Sequence, residues 1–188
     1  MRRADVRHRR VRRLVMGTLV AVLCLGPLAG HRLAASVVVP LTLGQLVEAA
    51  DLIVDAAVED MRVVAGPDGA ERLVLVRGDR PWKGDAEGPV YVRLAGGRLG
   101  TTETRVPGVP TVADGERYVW FLAAHSRGGY SVIGLYQGAL RVMTAPDGDL
   151  RVLVPGLTAG PRGDVARAPR PLDELESQVR ALTDGAPR

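Results

Sequence analysis

The chain has 188 residues, 46% of them hydrophobic and 24% charged, with one cysteine and three histidines. That apolar share supports one packed domain and excludes wholesale disorder, while a single cysteine excludes a disulfide framework and a four-cysteine zinc site. The formal charge of +4 belongs to the N-terminus: residues 1–36 hold eight of the 25 basic residues and one of the 21 acids, leaving the remainder near −3. Without a cationic excess to displace phosphate counterions, no nucleic-acid partner is expected.

Met1–Arg13 is a basic run and Leu14–Leu25 is an uncharged apolar one, interrupted only by Gly17 and Thr18. Gly26-Pro27 breaks it, and small residues follow at Ala29-Gly30 and Ala34-Ala35-Ser36. This is the layout of a secretory signal peptide over residues 1–36. The run falls short of the roughly 20 apolar residues a spanning helix needs. The expected location is therefore periplasmic or extracellular. A membrane-anchored form, and with it membrane contact, is the alternative if the segment stays uncleaved. Cleavage removes Cys24 and leaves a chain insensitive to redox state. Bulky Leu23, where a lipoprotein signal wants a small residue, argues against lipidation.

Residues 37–154 read as the folded domain. Thr42-Leu43-Gly44-Gln45 is a capping box, with Leu41 and Leu46 placed as its hydrophobic staple, and predicts a short helix from Leu43 to Ala50. The period then changes to two. Leu52, Val54, Ala56 and Val58 share one face of a strand, and Ile53, Asp55, Ala57 and Glu59 the other. Gly66-Pro67-Asp68-Gly69 is a turn between Met61–Ala65 and Leu73–Val76. Gly78 and Pro81 disturb that second strand, as a bulge or an edge position would tolerate.

Val90–Leu94 is a third strand, ended by Gly96-Gly97. A long connection follows to about Gly115, and such loops are often functional. Tyr118–Ala123 is almost wholly apolar, as in a central strand with either face inward. His125–Gly129 turns into Tyr130–Tyr136, and Asp147-Gly148 separates Ala139–Thr144 from Leu150–Val154. Short strands joined by tight turns predict a mostly β fold, a small antiparallel OB-like barrel, with Val54, Val119, Phe121 and Ile133 among its core positions. Residues 155–171 carry four prolines and three glycines and read as a linker. In residues 172–184, Leu172, Leu175, Val179 and Leu182 share one face of a C-terminal amphipathic helix, with Asp173 and Glu176 available as its cap.

The catalytic inventory is thin. A serine triad would have to use His125, and there is no Gly-x-Ser-x-Gly elbow. The carboxylate pairs Asp51/Asp55 and Glu59/Asp60 suit a solvated strand face better than acid–base chemistry. Asp147-Gly148-Asp149 and Asp68-Gly69 lack the ligand pattern of a calcium loop. Gly96-Gly97-Arg98-Leu99-Gly100 is like half of a phosphate fingerprint, without the helix or the Lys-Ser/Thr of a P-loop. No cofactor, metal or catalytic residue is assigned. The candidate ligand surface comprises Gly96, Gly97, Arg98, Thr101, Thr102 and Arg105 of the long connection. Trp82 and Lys83, the only lysine of the chain, join it, although Trp82 also suits a cap on the barrel end.

The segment Leu43–Val54, with its short helix, acidic residue and first strand, resembles the opening of uncharacterised exported bacterial proteins. Trp82-Lys83-Gly84, Gly96-Gly97, Pro107-Gly108-Val109-Pro110, Gly115–Leu122 and Gly134–Gly138 follow in the same order as in those proteins, so the match covers about residues 41–143. Those proteins are in turn distantly similar to the OB barrel of netrin-like domains and tissue inhibitors of metalloproteinases. The inhibitors chelate the protease zinc through an N-terminal cysteine, so the resemblance implies a fold and export but no such activity here.

Three functions are consistent with these features. The leading one is a non-enzymatic binding or interaction module for an unknown envelope or extracellular protein or ligand. The second is a hydrolase or metal-dependent enzyme built on His125, with Asp114 or Glu116 brought near by folding. The third is a structural protein that docks on a partner through its C-terminal helix.

Overall fold

The computed structural model describes residues 39–78, 80–159 and 165–185, so the export segment read over residues 1–36 lies outside the described residues. Helix α1, Leu43–Ala49, starts at the capping box: Gln45 N donates to Thr42 Oγ1 at 3.2 Å, and Thr42 N donates to Gln45 Oε1 at 2.9 Å. Strand β1, Leu52–Gly66, runs beyond the stretch that alternates in sequence and forms a hairpin with β2, Gly69–Arg77, closing at Gly66 opposite Gly69. Its register shifts between Val58 and Asp60. A bulge there reverses the alternation, so Met61 packs on the same core as Leu52, Val54, Ala56 and Val58. Gly78 and Pro81 mark the break between β2 and a separate short strand, β3, Pro81–Lys83, which pairs with the start of β1.

Strand β4, Val90–Ala95, pairs with β2. Next come the small hairpin of β5, Gly97–Leu99, and β6, Thr102–Thr104, then β7, Arg117–Ala124, and β8, Tyr130–Val132. Strands β1, β2, β4, β8 and β7 hydrogen-bond in that order, and β7 pairs again with β1, closing the ring. In ring order these are the first, second, third, fifth and fourth strands of an OB-like barrel. Four of the five joins of the ring are antiparallel, and β4 and β8 run parallel. A closed ring with an odd number of strands cannot alternate all the way round, so one join has to be parallel.

Strand β7 separates two cores. Tyr118, Trp120 and Leu122 point into the barrel with Val54, Val74, Val76 and Val92. Val119 and Phe121 point outward, into a second core with Ile53, Trp82, Leu140, Val152 and residues of both helices, and Ile133 packs half-buried against it. Continuous hydrophobicity is what a strand buried on both faces requires. The chain builds the second core by pairing β9, Ala139–Thr144, with the first half of β7 while β8 occupies the second half.

Strands β10, Leu150–Ala159, and β11, Val165–Pro171, extend that sheet. The linker expected over residues 155–171 is therefore largely strand. Pro169 and Pro171 are compatible with this because β11 is the sheet edge, and their spacing of two places both missing N–H groups on the same side. Helix α2, Leu172–Asp184, buries Leu172, Leu175 and Val179 on the second core. Its N-cap position is Pro171, without a side-chain cap. Glu176, expected to cap it, instead pairs with Arg180 at 2.8 Å.

Candidate functional site

The long connection after β4 folds back as the β5–β6 hairpin. Leu99 pairs with Thr102, which leaves a two-residue turn of Gly100 and Thr101. Gly100, at φ +60°, fills the first central position, where a tight hairpin turn favours glycine. The hairpin lies across the end of the β1–β2 ribbon: Gly96 N donates to Ala70 O at 2.8 Å, and Ala70 N donates to Thr104 Oγ1 at 3.5 Å. Gly97 makes this close approach possible. A Cβ there would lie 3.1 Å from Val63 Cγ1 and 3.3 Å from Arg72 Cγ, on a backbone already at φ +140°.

Between the hairpin, β2 and residues 105–111 runs a groove of about 660 Å³. Gly96, Gly97, Arg98 and Arg105 line it, as do Arg72, Glu103, Thr104 and Val106. The half-buried Arg72 donates through Nη2 to Pro110 O at 3.1 Å, and burial pulls its pKa below the ordinary arginine range. It stays cationic at neutral pH. Arg105 pairs with Glu103 at 2.7 Å, and that hydrogen bond, aided by the acid's charge, raises its pKa.

The remaining candidates lie elsewhere. Thr101 and Thr102 are exposed at the hairpin tip and do not line the groove. Trp82 is 6% exposed in the second core, so its indole is unavailable as a ligand face. Lys83 donates through Nζ to Val47 O at 2.7 Å and Glu48 O at 3.5 Å. A cation on the last carbonyls of α1 complements the helix dipole. Burial of an aromatic and capping by a cation account for this pair structurally.

His125 and its proposed acids are kept apart. Glu116 and Asp114 precede β7 and His125 follows it, and eight strand residues span roughly 25 Å. The polar atoms are also engaged. Glu116 Oε2 lies 2.5 Å from Tyr118 Oη and accepts from Ala113 N, while Oε1 pairs with Arg141 at 2.6 Å. His125 Nδ1 accepts from Arg127 N at 3.0 Å within its own turn. Of the apolar stripe of α2, Leu175 and Val179 are buried on the chain's own core and Leu182 is exposed. Among the described residues, no three His, Cys, Asp or Glu side chains are grouped to hold a metal ion.

Reading the sequence missed the Glu71 cluster. Glu71 is 8% exposed; its Oε2 lies 3.0 Å from Arg93 Nη1 and its Oε1 2.8 Å from Arg127 Nη2. Arg93 also donates to Arg127 O and Gly128 O. The carboxylate thereby fastens the β7–β8 turn to β2 and β4. The pattern Glu-Arg-Leu-Val-Leu-Val places Glu71 on the same strand face as Leu73, yet nothing local in it signals that two distant arginines converge there. Compared with known proteins, the chain matches no family model and no curated protein.

Proposed function

We propose that the chain is an exported, non-enzymatic binding module of the cell envelope or extracellular space, and that it meets its ligand in the groove beneath the β5–β6 hairpin. Export rests on the basic, apolar and small-residue order of residues 1–36. The binding reading is carried by the groove itself. It is concave, it rests on a barrel strand rather than a free loop, and it combines apolar walls with a few fixed polar groups, as ligand sites do. The distance between His125 and its would-be acids supports a non-enzymatic role.

The test is cross-linking of the tagged chain, as recovered from an exporting host, with envelope extract, followed by mass spectrometry. The comparison is with a Gly-Ser replacement of Thr101–Pro110 and with the double variant Arg98→Ala/Arg105→Ala, each checked for native circular dichroism. A species captured by the native chain and lost from folded variants supports the reading. Equal capture by all three proteins overturns it.

A further inference from the structure

We propose that the groove recognises a carboxylate carried beside an apolar group, as at a peptide C-terminus, with Arg72 as the contact on its floor and Arg98 at its rim. This deepens, and rests on, the assignment of the groove as the binding site. The stem of Arg72 is held under the hairpin backbone at Gly97, and its guanidinium is fixed by the bond to Pro110 O. That bond uses one of five N–H donors.

Among the described residues no carboxylate pairs with Arg72. Its sequence neighbour Glu71 is committed to Arg93 and Arg127, and Glu103, which lines the groove, is committed to Arg105. The cause of the lowered Arg72 pKa is desolvation, with no acid opposing it. A half-buried cation without a counter-charge is an unfavourable arrangement that an incoming anion relieves. A planar guanidinium matches a carboxylate two bonds at a time. Ala95, Val106, Pro107 and Val109 supply the apolar wall. Glu103 beside the site opposes a doubly charged phosphate more than a singly charged carboxylate.

The experiment is an NMR titration of the ¹⁵N-labelled chain from an exporting host, following the Arg72 Nε–Hε signal, assigned by its loss in Arg72→Lys. The probes are N-acetyl-Ala-Leu with a free carboxylate, the same dipeptide as its C-terminal amide, and inorganic phosphate. The acid should shift the signal saturably, and the amide and phosphate should not. By an amide reporter in the groove, Arg72→Lys should weaken the acid about tenfold or more. Arg98→Gln, at an exposed position that cannot disturb the core, should weaken it a few-fold.

An Arg72 signal unmoved by the acid, equal binding of acid and amide, or tighter binding of phosphate than of acid each overturns the assignment. If the titration fails while envelope capture still depends on the hairpin, the carboxylate assignment alone falls. If capture is independent of the hairpin, the binding-site reading falls.

Discussion

Phe121→Ala removes a fully buried ring from the second core, where it packs with both helices and opposite Ile53 of β1. Truncating a buried phenylalanine costs about 3–5 kcal/mol, as lost transfer energy plus an unfilled cavity. Against a typical domain stability of about 5–15 kcal/mol, that is a large share. It corresponds to a fall in Tm of roughly 6–20 °C for a domain of this size.

The tryptophans allow the loss to be located, since Trp82 lies in the second core and Trp120 in the barrel. Urea melts of Phe121→Ala, followed in single-tryptophan backgrounds, should show the Trp82 signal moving no later than that of Trp120. Leu122→Ala, also fully buried but facing the barrel, should reverse that order if the two cores separate at all. Glu59→Ala is the control. Its carboxylate is paired with Arg77 on the surface, and its loss should change stability by less than about 0.5 kcal/mol. Equal stability of Phe121→Ala and Glu59→Ala would refute the strand assignment and the two-core architecture together.

Glu71→Gln should cost about 2 kcal/mol by leaving Arg93 and Arg127 without their shared carboxylate; hydrogen exchange should accelerate in residues 125–129 before the barrel strands. The Asp147 carboxyl is held below its ordinary pKa by the hydrogen bond from Asp149 N and by the Arg151 charge. A depressed folded pKa stabilises above the unfolded value, and that contribution disappears as pH falls through the folded one. A ¹³C titration should therefore find its midpoint below the ordinary carboxylate range, and Arg151→Gln should raise it. Intact mass of the chain from an exporting host should show a shortened N-terminus; an unprocessed mass in the membrane fraction would favour the anchored form.

Local signals carried much of the fold. The Thr42 capping box, the Gly66–Gly69 and Asp147-Gly148 turns and the alternation of Leu52–Val58 act over a few residues, and each element stands where its pattern put it. What stayed illegible was set by distant parts of the chain. Tyr118–Ala123 is apolar on both faces because two cores meet there, and no periodicity tells which side belongs to which. Pro169 and Pro171 read as linker residues until β11 is known to be an edge. In the groove, Gly96, Gly97, Arg98 and Arg105 were visible from the loop composition. Arg72 sits in an ordinary strand pattern 24 or more residues upstream of them, and only the fold of the hairpin over β2 brings it there.

Burial of β7 on both faces has a consequence before the chain folds. Six uncharged residues, Tyr118–Ala123, with strong β propensity and no proline, form the kind of segment that pairs with copies of itself. Until the chain folds, this segment is exposed at the moment it is least protected. Arg117, immediately before it, is the flanking charge that discourages such pairing. Once β7 reaches β1, the same guanidinium engages Asp55 with two hydrogen bonds, at 2.7 and 2.6 Å. One arginine thus guards the strand in the unfolded chain and joins it to its neighbour in the folded one.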